Sequence, residues 1–170
     1  MPDMTPSTDH PPILVIDDNR DIHADFRKVL CGKRAAAPSL GQLEAELFGA
    51  TTARAAANYE LRSAFSGEEA VDLTRRQFAE GVRFALAFVD MRMPPGWDGM
   101  RTMAELQKID PDIQFVVCSA YSDHTPGQVY ERLDVQPRHG ILFIRKPFVP
   151  AEVRDIAARF TSVDVSGPRP

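Results

Sequence analysis

Cysteine is scarce. There are two in 170 residues, Cys31 and Cys118, and both sit in apolar surroundings. That excludes a disulfide framework and predicts reduced thiols in a cytoplasmic protein. No apolar run approaches the roughly 18 residues of a membrane span. Met1 to Pro12 is polar and proline-rich, without the apolar stretch of a signal peptide. Positive charge is not in excess: 20 Lys and Arg face 24 Asp and Glu, for a net charge of −4. A broad basic footprint for nucleic acid is therefore missing, and no direct nucleic-acid or membrane partner is expected. No GxxxxGK loop occurs, and the turn from Asp17 to Asp21 lacks the Ser, Thr and Gly of a phosphate cradle. The four histidines, His10, His23, His124 and His139, are scattered without metal-ligand spacing and are read as surface residues.

What is present is an ordinary globular composition, 44% hydrophobic and 26% charged, long enough for one domain with a real core. Residues 1–11 and 162–170 read as tails, the second being a tail or the start of a linker, with the domain over 12–161. Ile13 to Ile16 is a continuous, β-branched apolar run ending in Asp17-Asp18-Asn19, which predicts a buried parallel strand and a capped turn. A helix follows from Asp21 to Leu30, with Ile22, Phe26, Val29 and Leu30 on its inner face. The segment 32–58 is too long for a helix-to-strand connection of about 2–6 residues and reads as an insertion. Within it, Ser39 to Gln42 fits a capping box, and Leu40, Leu43, Leu47 and Phe48 form the stripe of a short helix.

Tyr59 to Phe65 reads as a second strand near a sheet edge. Ser66 then opens a helix, with Ala70, Leu73, Gln77 and Phe78 inward. Phe84 to Val89 is a third buried strand, closed by Asp90. Helix, strand, helix, strand and helix follow at Gly99, Ile113–Cys118, Pro126–Leu133, Gly140–Ile144 and Pro150–Phe160. Such strict alternation predicts an α/β protein with a parallel sheet covered on both faces. It does not fix the strand order.

Four strand ends carry chemistry: Asp17 and Asp18, Asp90, Ser119 and Lys146. In open α/β sheets the carboxyl ends of strands form the ligand-binding rim. Three carboxylates gathered there resist joint ionisation, and a divalent cation relieves them. An oxygen-only donor set suits Mg²⁺. Lys146 adds a point cation and Ser119 a hydroxyl. A metal, an ammonium and a hydroxyl around one carboxylate suit it to accept a phosphoryl group.

These residues resemble the receiver domain of two-component response regulators. The resemblance rests on the Asp-Asp pair after strand one, Asp-x-x-Met-Pro at Asp90 to Pro94, Ser-Ala at Ser119 to Ala120, and Lys-Pro at Lys146 to Pro147. It spans about Pro12 to Phe160, interrupted by the insertion, as in an extended receiver. It implies a flavodoxin-like, doubly wound, three-layer α/β/α fold with a five-stranded sheet of order 2-1-3-4-5. It implies Asp90 as phosphoacceptor and Lys146 as ligand of the phosphoryl oxygens. Asp18, Asp90 and the backbone carbonyl of Arg92 would bind Mg²⁺ directly, and Asp17 through water. Ser119 and Phe143 would be the switch pair, and the Lys146–Pro147 bond cis. The implied partners are a sensor histidine kinase or histidine phosphotransfer protein and a second copy across helix 4, strand 5 and helix 5. The chain would be a signalling phosphoacceptor and not an enzyme. The loop Pro94 to Gly99 is one residue longer than usual, which draws Trp97 towards the site. Arg92 and Tyr121, two residues past Asp90 and Ser119, are expected to restrict attacking water.

Other functions stay open on the residues. A receiver used mainly for dimerisation or docking has the same motifs. An aspartyl-phosphate phosphatase of the haloacid-dehalogenase type would need a second acid where the chain has Arg92.

Overall fold

The computed structural model describes residues 11–31, 59–120, 126–132 and 140–161. Five strands alternate with five helices: β1 Ile13–Ile16, α1 Arg20–Leu30, β2 Leu61–Ala64, α2 Gly67–Ala79, β3 Leu86–Asp90, α3 Gly99–Ile109, β4 Gln114–Ser119, α4 Pro126–Arg132, β5 Ile141–Arg145 and α5 Pro150–Thr161. Every adjacent strand pair is parallel, and the order is β2-β1-β3-β4-β5. The flavodoxin-like α/β architecture follows, with the reversal of strand order falling between β1 and β3.

Alternation along the strands divides the core in two. Leu14, Ile16, Ala87, Val89, Phe115 and Val117 face one layer, where Ala70, Val71, Met103, Leu106 and Val129 of α2, α3 and α4 meet them. Ile13, Val15, Leu86, Phe88, Val116 and Cys118 face the other, against Phe26 and Leu30 of α1 and Val153 and Ala157 of α5. A strand covered on both sides has no polar position to spare, so β1 and β3 read as unbroken apolar runs. β2 lies at the edge and exposes Arg62, as its alternating sequence predicts.

Helix starts are set by capping side chains. Asn19 accepts from the Asp21 N–H, Ser66 from the Glu69 N–H and Asp98 from the Arg101 N–H. Each satisfies one of the donors that the first helical turn leaves unpaired. In α2 the inner face is Ala70, Val71 and Thr74, while Gln77 and Phe78 lie at the half-buried margin. Gly81 follows that helix at φ 82°, the left-handed conformation that favours glycine after a helix end.

One histidine departs from expectation. His23 is buried, at 2% exposure, and lies one turn before Phe26 on the same inward stripe. The insertion with its Leu40–Phe48 stripe, His10, His124, His139, Tyr121 and both tails lie outside the described residues. Among the described residues, no helix is long and apolar enough to cross a membrane.

Candidate phosphoacceptor site

β1 and β3 run side by side with Ile16 opposite Val89, so Asp17 and Asp90 leave the sheet at the same level. Both are buried, at 2% and 8% exposure, whereas Asp18 is exposed. Asp17, Asp18 and Asp90 each bring an oxygen within 4.8 Å of the others. Among the described residues no other three His, Cys, Asp or Glu side chains have that spacing.

β5 delivers the cation. Lys146 follows its last residue, and the Lys146 N–H donates to the Ser119 carbonyl at 3.0 Å, tying it to the end of β4. Its Nζ lies 2.6 Å from Asp17 Oδ2 and 3.2 Å from Asp90 Oδ1. The Lys146–Pro147 bond is cis, and so is Pro94–Pro95. Ser119 closes β4, one residue beyond Cys118, the register partner of Asp90, and is half-buried. Phe143 on β5 is half-buried against the α2–α3–α4 core layer, opposite Val117. The sequence-predicted residues Asp17, Asp18, Asp90, Ser119 and Lys146 thus gather at one sheet rim, with Phe143 two positions back along β5.

The electrostatics favour an added positive centre. Burial raises the Asp90 carboxyl above the ordinary carboxylate range. Lys146 pulls it back, Asp17 pushes it further up, and a hydrogen bond from the Arg92 backbone N–H lowers it, leaving a net rise. For Lys146, burial opposes the charge, but the hydrogen bond and charges of Asp17 and Asp90 outweigh it, and the ammonium holds its proton more firmly than usual. Burial pushes the Cys118 thiol well up, which removes it as a nucleophile. Two desolvated carboxylates share one ammonium, with an exposed third carboxylate at the opening. This oxygen-only donor set fits a hard divalent cation such as Mg²⁺.

The loop after Asp90 folds straight back on it. The Gly99 N–H donates to the Met91 carbonyl at 3.3 Å, and a Cβ on Gly99 would stand 2.5 Å from the Asp90 carbonyl oxygen. Only glycine permits that approach. The same loop is held to α2, where Glu68 Oε1 accepts the Trp97 N–H at 3.3 Å. The Arg101 guanidinium covers the Trp97 ring at 4.2 Å.

Sequence reasoning missed three supporting groups. Asn19 donates its N–H to Asp17 Oδ1 at 2.9 Å, Glu68 holds the loop, and His23 Nε2 lies 2.7 Å from the Asp17 carbonyl. The i, i+3, i+7 spacing of His23, Phe26 and Leu30 is the signal that places His23 inside.

No family profile matches the chain, and no curated protein matches its sequence. Solved structures do match. A response regulator receiver protein from Sinorhizobium medicae aligns at TM-score 0.57 with 19% identity, over 88% of this chain and 93% of that one. The chain has the receiver-domain fold. A CheY-like receiver domain from Methanospirillum hungatei gives TM-score 0.58 at 17% identity, covering 88% and 91%. A CheX–CheY complex with BeF3 and Mg²⁺ from Borrelia burgdorferi gives 0.59 at 16%, covering 88% and 87%. At these identities the likeness to receivers concerns the fold, and the chemistry rests on the site.

Proposed function

We propose that this protein is a phosphoacceptor receiver. Asp90 takes a phosphoryl group from the phosphohistidine of a sensor kinase or histidine phosphotransfer protein. An Asp90 carboxylate oxygen forms the new O–P bond, the N–P bond of the donor breaks, and the imidazole leaves. The observation that carries this reading is a desolvated carboxylate at a strand end, 3.2 Å from an ammonium and within ligand distance of two more carboxylates.

Asp18, Asp90 and the Arg92 carbonyl would hold Mg²⁺, with Asp17 behind them. Bound there, the metal supplies charge that offsets phosphoryl oxygens against the carboxylates. Lys146 orients and neutralises the transferred group. Ser119 and Phe143 transmit its arrival by shifting a two-state equilibrium of the β4–α4–β5 region. The chain turns over no separate substrate, and it works in the cytoplasm, where such donors act. Self-association through α4, β5 and α5 is the corresponding assembly.

Acetyl phosphate tests the chemistry. The expected product is a phosphoryl adduct that forms with Mg²⁺, does not form when EDTA is present from the start, and is released by hydroxylamine, as an acyl phosphate is. An adduct that resists hydroxylamine would place the group on a hydroxyl such as Ser119 and refute the reading. The docking-module alternative predicts no adduct at all.

A further inference from the structure

Asp17 is held at every polar atom it has. Its N–H donates to the Ala64 carbonyl at 3.2 Å, the last rung towards β2. Oδ1 accepts from the Asn19 N–H at 2.9 Å and Oδ2 from Lys146 Nζ at 2.6 Å. The remaining atom is the backbone carbonyl. Here the chain turns away from the sheet, so no strand neighbour is in register to receive it. His23 Nε2 meets it at 2.7 Å. A carbonyl only accepts, so Nε2 carries a proton and donates.

The other ring nitrogen, Nδ1, is buried and has no hydrogen-bond partner. An apolar side chain in that stripe would avoid the unsatisfied Nδ1, which costs about 1–3 kcal/mol, but would strand the Asp17 carbonyl instead. The imidazole is therefore a poor choice for packing alone and a good one for reaching Asp17. Its ring is seated on Phe65 at 4.4 Å, and Arg20 lies over the Phe65 ring at 4.9 Å. The Phe65 N–H is in turn held by Glu69 Oε2 at 2.7 Å. The β2–α2 loop thus braces the histidine.

We infer that His23 is a positioning residue for the acidic turn. Its Nε2–H fixes the Asp17 carbonyl, and so the peptide that leads to Asp18, in the orientation that presents Asp18 beside Asp90. This inference rests on the Mg²⁺-binding reading of the site. Groups that orient metal ligands from behind commonly control affinity by about 10–100-fold.

The test is Mg²⁺ affinity, measured by amide chemical shifts in the β1–α1 turn and β3–α3 loop, alongside the thermal midpoint. His23→Phe keeps the ring against Phe65 and deletes the donor. It is expected to weaken Mg²⁺ binding about tenfold while the protein remains folded. His23→Gln, which keeps an N–H donor, should recover most of the affinity. Wild-type affinity in folded His23→Phe overturns the inference and leaves the phosphoacceptor reading standing. A wild-type protein without any Mg²⁺ response overturns both. A readout without substitution is the imidazole ¹H–¹⁵N spectrum of the wild type. It should show a slowly exchanging Nε2–H on His23, and a freely exchanging or Nδ1-protonated ring refutes the inference even if His23→Phe does not fold.

Discussion

Asp90 and Lys146 are both displaced upwards, for different reasons. Burial raises the Asp90 carboxyl, and the paired carboxylates raise the Lys146 ammonium. A carboxyl whose folded pKa lies above its unfolded value stabilises the fold below the ordinary carboxylate range. That contribution is lost as pH rises through the raised value. Asp90→Asn, which removes the ionisation, should raise the melting temperature at neutral pH. The gain should shrink as pH falls into the carboxylate range, and calorimetry across that range checks the sign. Lys146→Gln separates the two positive centres. Without the ammonium, nothing competes with Mg²⁺ for the Asp17 and Asp90 oxygens that Lys146 now holds, so Mg²⁺ should bind more tightly. Adduct formation from acetyl phosphate should still fall by about a hundredfold, because the charge that meets the phosphoryl oxygens is gone. Equal loss of both would contradict that division. These residues were legible in the sequence because each ends an apolar strand. His23 was not, because a histidine among charged helix positions gives no sign of where its ring points until the stripe through Phe26 and Leu30 is followed.

Among the elements, two surfaces lie beside the site. The first is the apolar groove between α1 and the turn into α5, lined by Ile22, Phe26, Val29, Pro147, Phe148 and Val153. Val149, in the same turn, is the large hydrophobic side chain left exposed among the described residues, at 56%. Under the proposed function, these are apolar positions that a phosphodonor protein would cover. Val149→Asp is expected to slow transfer from a phosphodonor protein by about tenfold, or about 1.4 kcal/mol, while labelling by acetyl phosphate stays unchanged. Stopped-flow transfer assays compare the two donors. The second surface is the β3–α3 loop, pinned by Gly99 against Asp90 and by Glu68 against α2. Trp97 lies in that loop, half-buried beneath Arg101. Its fluorescence should change when BeF3 and Mg²⁺ occupy the site, and a flat titration with independently confirmed binding would disconnect the loop from Asp90. The sequence marked this loop as longer than usual, but not how it is held. The holding group is Glu68, some thirty residues away on a neighbouring helix, a contact that only the tertiary fold creates.

At the scale of the molecule, the alternation of strands and helices announced a parallel sheet, while the strand order came from resemblance. The structure explains why order is hard to see. β1 and β3 are both buried on two faces, and nothing in an unbroken apolar run names its neighbours. β2 betrays its edge position by exposing Arg62. The order matters because it places β1 next to β3, and with them Asp17 and Asp18 next to Asp90. Everything proposed for function descends from that adjacency. Its most direct test is the intact mass of wild-type and Asp90→Asn protein after incubation with acetyl phosphate and Mg²⁺. A single phosphoryl adduct on the wild type that vanishes in Asp90→Asn is the predicted result. No adduct on the wild type, or the same adduct on Asp90→Asn, would contradict Asp90 as the phosphoacceptor.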